Sequence, residues 1–93
     1  MTYKIEISKK SIKFMKTLPK HEYKKILESI DSLRDDPRPR WMEKLKGLKN
    51  DFFRISWGNY RMIYTIEDHL LLITIVKIDG RDDSYKKISK KLK

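Results

Sequence analysis

The chain has 93 residues, enough for one domain around a single modest core, and residues 1–93 are expected to fold as one unit. It contains no cysteine, which excludes a disulfide framework or a thiolate metal site and suits a reducing cytoplasm. Its 23 basic and 13 acidic residues give a net charge of +10, pointing to a polyanionic or acidic partner, while the first residues, "MTYKIEISKK", lack the apolar core of a signal peptide and no apolar run reaches membrane-spanning length, so no membrane partner is expected.

The opening "TYKIEIS" alternates polar and apolar residues, placing Tyr3, Ile5 and Ile7 on one face of a half-buried strand. Ser8 or Ser11 is the expected cap of a following helix, in which Ile12, Met15 and Leu18 recur at helical spacing until Pro19. Pro19 suits the first turn of a second helix, expected over residues 20–35 with Tyr23, Ile26, Leu27, Ile30 and Leu33 as its apolar stripe. "DDPRPR" stops it, because Pro37 and Pro39 lack a backbone donor and disfavour helical residues before them.

Residues 41–51, "WMEKLKGLKND", are expected to be a connecting segment that includes a helical turn. The apolar runs of "FFRISWGNYRMIYTI" then flank Gly58-Asn59, the signature of a hairpin with a two-residue loop. That register pairs Trp57 with Tyr60, Ser56 with Arg61, Ile55 with Met62, Arg54 with Ile63 and Phe53 with Tyr64. Phe53, Ile55, Trp57, Tyr60, Met62 and Tyr64 then share the core face. A turn at Glu67–His69, a central strand "LLLITIVKI" and a C-terminal helix anchored by Tyr85, Ile88 and Leu92 complete the chain.

The opposite face of the hairpin carries Arg54, Ser56, Arg61, Ile63 and Thr65, with the arginines diagonal and no carboxylate expected between them. Like charges so placed repel by up to about 1 kcal/mol, whereas grouped guanidinium groups suit a phosphate. Solvated arginines are also ordinary on an outer sheet face. Arg81, just after the last strand, and Tyr85, one helical turn further, are placed to join the same face, Tyr85 as a stacking ring or as a core anchor of the last helix. His21 and His69 have no fixed spacing that would make a catalytic pair, and Asp35-Asp36 and Asp82-Asp83 read as turn and cap residues. No metal and no cofactor are expected.

The order strand, two helices, meander, together with "KLKGL", "FRISWGNYRMIY" and "GRDDSY", resembles the RelE/ParE superfamily of toxin–antitoxin toxins over essentially the whole chain, and its RelE branch in particular. The resemblance implies an α+β fold: an N-terminal strand, a two-helix hairpin, a three-stranded antiparallel meander and a short C-terminal helix, the RelE-like microbial RNase fold. It implies a ribosome-dependent endoribonuclease that cleaves mRNA in the ribosomal A site, with the ribosome, mRNA and an acidic RelB-like antitoxin as partners in the cytoplasm. By the same resemblance Arg61 stabilises the phosphate, Arg54 is the basic residue of the preceding strand, Arg81 is the general acid, and Tyr85 orders or stacks on the substrate. Ser56 and Gly80 depart from the pattern, standing where relatives carry a second strand cation and, in some branches, a histidine. The general base is left unassigned, between a lysine, Tyr85 and a reaction in which the ribosome supplies the geometry and positioning carries the step. Two other readings share the fold: a ParE-like inhibitor of DNA gyrase and a catalytically weak RNA-binding relative.

Overall fold

Two helices cover one face of a five-stranded sheet, because the alternating strands and the helical stripe have no other apolar surface to meet. The computed structural model describes residues 2–46, 51–57 and 60–80. The Gly58-Asn59 loop, the Trp57 side chain, Arg81, Tyr85 and the expected C-terminal helix lie outside the described residues, as do Gly47 to Asn50.

The chain runs β1 (Lys4–Ile7), α1 (Lys9–Lys16), α2 (Lys20–Ser32), β2 (Glu43–Leu45), β3 (Phe52–Trp57), β4 (Tyr60–Glu67), a 3-10 turn (Asp68–Leu70) and β5 (Leu72–Gly80). The sheet order is β1-β5-β4-β3-β2, with β1 parallel to β5 and every other pairing antiparallel. All five hairpin pairs occur in the expected register. The meander is extended at one side by β2, where a connecting segment with a helical turn was expected. "EKL" has no strand signal of its own, and what makes it a strand is the open edge of β3, against which Glu43 and Leu45 face Arg54 and Phe52.

The core joins Met15, Ile26, Ile30 and Leu33 from the helical side to Phe53, Ile55, Met62, Tyr64, Ile73, Ile75 and Ile78 from the sheet. Tyr23, Leu27 and Ile12, expected to face inward, are exposed. Burial on α2 follows the narrow row Ile26, Ile30, Leu33, and on α1 it follows Ser11 and Met15. Helix α2 stops at Ser32, short of residue 35, because the chain tightens: the N–H groups of Leu33 and Arg34 donate to Ile30 and Asp31, three residues back. Pro37 then bars a helical Asp36.

A bulge sets the alignment of β5. Ile63 faces Lys77 but Tyr64 faces Ile75, so Val76 is an extra residue between them. Its carbonyl accepts from the Ser8 hydroxyl (2.9 Å), while the Ser8 N–H donates to the Ile75 carbonyl (2.9 Å). Ser8 is also the cap of α1, its Oγ accepting from the Ser11 N–H, so one side chain ties the helix start to the bulge.

At the other end of the sheet, Arg38 donates to both carboxylate oxygens of Asp68 (2.8 and 3.2 Å) and lies over the Phe53 ring, and the Tyr3 hydroxyl donates to the same carboxylate at 2.6 Å. Beside this anchor the buried Tyr64 hydroxyl donates to the Pro37 carbonyl (2.8 Å), and burial pushes its pKa up. The Pro37–Pro39 segment is thus pinned from both sides.

Met62→Ala empties the centre of the core, where Met62 is 0% exposed, and is expected to lower unfolding free energy by about 2–5 kcal/mol in a denaturant titration. The Arg38 and Tyr3 hydrogen bonds hold the Asp68 carboxyl below its usual pKa. Its contribution is therefore present above the ordinary carboxylate value of about 4 and lost as pH falls through the lower folded value. Asp68→Asn is expected to lower the melting temperature at neutral pH and to flatten the loss of stability as pH falls below the ordinary carboxylate value, read by thermal melts from neutral into acid pH.

Candidate phosphate-binding sheet face

The helices cover one face of the sheet, and the strand register composes the other in two rows. Glu43, Arg54, Ile63 and Lys77 lie side by side across β2, β3, β4 and β5. Ser56, Arg61 and Asp79 form the next row. Arg54 and Arg61 are therefore diagonal neighbours, as the hairpin register requires. The bulge at Val76 is what turns Lys77 and Asp79 toward them: without the extra residue the parity that buries Ile73 and Ile75 would bury Lys77 too.

The expectation of arginines without carboxylates is corrected. Arg54 donates through Nη2 to Glu43 Oε2 at 2.6 Å, and Asp79 stands directly opposite Arg61 in the register. Asp79 is engaged by Lys77, with Oδ2 3.4 Å from Nζ. Glu43 escaped sequence reasoning because β2 has no strand signal, whereas Lys77 and Asp79 were readable as alternate residues of "VKIDG" once the bulge is known.

The cations of this face differ in what they already hold. Arg54 is only 30% exposed, and its Nε is buried with no hydrogen-bond partner among the described residues. A buried donor without a partner costs on the order of 1–3 kcal/mol, so the placement of this guanidinium against the sheet works against stability. The Arg61 side chain makes no ion pair or hydrogen bond to any described residue, although it is half-buried in the middle strand. Arg81 and Tyr85 lie outside the described residues. Ser56, facing Arg61, leaves the β3 side of that row without charge.

The remaining candidates do not converge. His21 is exposed on α2 beside Glu22, and His69 sits in the 3-10 turn. His69 lines a cleft of about 390 Å³ together with Arg38, Asp51, Phe53, Glu67 and Asp68, but Arg38 and Asp68 are engaged with each other there. Among the described residues, no three histidine or carboxylate side chains come together as a metal site. No helix among them is long and apolar enough to cross a membrane.

Residues 5–85 match the family of ParE toxins of type II toxin–antitoxin systems. The chain belongs to this toxin family. The toxin is 33% identical over 88 residues to the RelE1 protein of Methanocaldococcus jannaschii, spanning 92% of this chain and 98% of that one. It is also similar to a chain of the archaeal RelE-RelB complex from Pyrococcus horikoshii OT3, at 36% identity and a TM-score of 0.77 over 87% of this chain and 97% of that one. The isolated RelE toxin of E. coli shares the fold, with a TM-score of 0.69 over both whole chains at 15% identity. The molecule is thus a RelE-like toxin of a toxin–antitoxin system, with the α+β fold of that group.

Proposed function

We propose that this toxin is a metal-independent endoribonuclease that cuts mRNA in the ribosomal A site and so stops translation. The observation that carries the reading is Arg61, a guanidinium at the hairpin end of the middle strand, on the sheet face opposite the helices, with no partner among the described residues and with Arg54 diagonal to it. A fork of N–H donors that never loses its charge suits a phosphate whose charge grows in the transition state. The relatives above 30% identity carry the RelE name, which favours the nuclease branch.

Cleavage needs a group to take the 2′-hydroxyl proton as that oxygen attacks phosphorus, and a group to protonate the 5′ oxygen as the P–O5′ bond breaks. A guanidinium, already protonated, serves poorly as the first. Glu43 supplies the carboxylate that the sequence reading lacked. It is 58% exposed and held against Arg54, whereas Asp79 is 28% exposed and engaged by Lys77. We assign Glu43 as proton acceptor, Arg61 and Arg54 as the charge stabilisers, and, by family resemblance, Arg81 as proton donor and Tyr85 as the residue that orders or stacks on the substrate.

An acidic RelB-like antitoxin is the proposed inhibitor, on the grounds of the net charge of +10 and of solved relatives that are RelE-RelB complexes. Action on ribosomes places the toxin in the cytoplasm. The family carries the ParE name, which supports a second reading, inhibition of DNA gyrase.

Purified toxin is expected to cut mRNA bound to ribosomes and to leave naked mRNA intact. Inhibition of gyrase supercoiling without any mRNA cut would replace the nuclease reading by the second one. Arg61→Ala is expected to slow single-turnover cleavage by roughly 10²–10³ with the melting temperature unchanged, since it removes a charge-assisted contact strongest in the transition state. Glu43→Gln is expected to slow the chemical step by about 10²–10⁴ while RNA binding stays level or tightens, because a proton acceptor and a negative charge leave together. Loss of binding instead of rate would show Glu43 to be a scaffold for Arg54.

A further inference from the structure

Lys77 completes a triangle that no hairpin argument reveals. It shares a row with Arg54, the two flanking Ile63, and their backbones stand two strand spacings or about 10 Å apart. Arg61 lies two residues along β4 from Ile63, about 7 Å away, at the apex. Ile63 is partly exposed and belongs to no core cluster, so among the described residues none covers the middle of the triangle. Lys77 is 58% exposed, its ammonium drawn back over the face by Asp79 at 3.4 Å.

We propose that Lys77 is a third phosphate-binding residue of this face, gripping a backbone phosphate of single-stranded RNA next to the one that Arg61 takes, with Asp79 as its positioning residue. The inference rests on the nuclease reading for the identity of its ligand. A polynucleotide with its reacting phosphate on Arg61 and Arg54 brings a neighbouring phosphate along the face, and Lys77 is the cation waiting on the β5 side. Asp79 keeps the long, flexible ammonium near the face between encounters, so less rotamer freedom is lost on binding.

The test is equilibrium binding of an uncleavable 2′-O-methyl RNA oligomer, followed by fluorescence anisotropy over a range of salt. It compares the full chain with Lys77→Ala, Asp79→Asn and the double variant, and uses Arg61→Ala and the helix-face variant Lys25→Ala as references. A lysine that contacts a single-stranded phosphate contributes about 0.7 to the slope of log affinity against log salt. Lys77→Ala is expected to flatten the slope by that amount both in the original chain and in the Asp79→Asn background, with Lys25→Ala leaving it unchanged. If the effect disappears in the Asp79→Asn background, Lys77 only screens Asp79 and the proposal falls. If Arg61→Ala flattens the slope and Lys77→Ala does not, the proposal falls while the nuclease reading stands. If Lys77→Ala behaves as expected but mRNA on ribosomes stays intact, Lys77 stands as a phosphate contact and the nuclease reading falls.

Discussion

The extra residue at Val76 is the constraint on which both faces of the sheet depend. A strand alternates without exception unless a residue is inserted, and β5 must bury Ile73 and Ile75 near one end and Ile78 near the other. Those parities are incompatible in a regular strand. The bulge reconciles them, and the carbonyl it frees is met by Ser8, which already stands at the start of α1. The helix start, the core of the distal half and the charges on the open face are thereby set by one local irregularity.

The hairpin was legible because its signals are local. A two-residue Gly-Asn loop fixes the register, and a period of two then assigns every side chain to a face without reference to the rest of the chain. Strand β2 was not legible, since "EKL" becomes a strand only through the edge it meets. The bulge was hidden for a different reason: "LLLITIVKI" is β-branched or apolar at nearly every position, and a run without alternation carries no mark of where alternation shifts. The arginines of the site were therefore readable and the carboxylates and lysine around them were not. Helix α2 shows the same division, its existence written in the stripe and its end decided by the two tightened hydrogen bonds of Leu33 and Arg34 before Pro37.

The two ends of the molecule use charge in opposite ways. At the Asp68 end, Arg38 and Tyr3 converge on one carboxylate from distant parts of the chain, and their hydrogen bonds serve to pin β1 and the proline segment to the sheet. On the open face the ion pairs are short-range, between neighbours in a row or along one strand, and pin nothing that the ladder does not already hold. Charge pairs that do little for the fold are free to be exchanged for a ligand.

That exchange has a direction. An exposed ion pair contributes at most about 1 kcal/mol, so releasing Arg54 from Glu43 or Lys77 from Asp79 is a small cost beside a charge-assisted hydrogen bond to phosphate. A lone anion binding to Arg54 or Lys77 must still displace a carboxylate that is tethered beside it at high local concentration. An anion on Arg61 displaces nothing among the described residues. A chain of phosphates anchored at Arg61 then competes for the flanking cations intramolecularly, with the same advantage of tethering that the carboxylates have. The face is thus poorly disposed toward free anions and well disposed toward a polyanionic strand, a discrimination that follows from which cation is left without a partner.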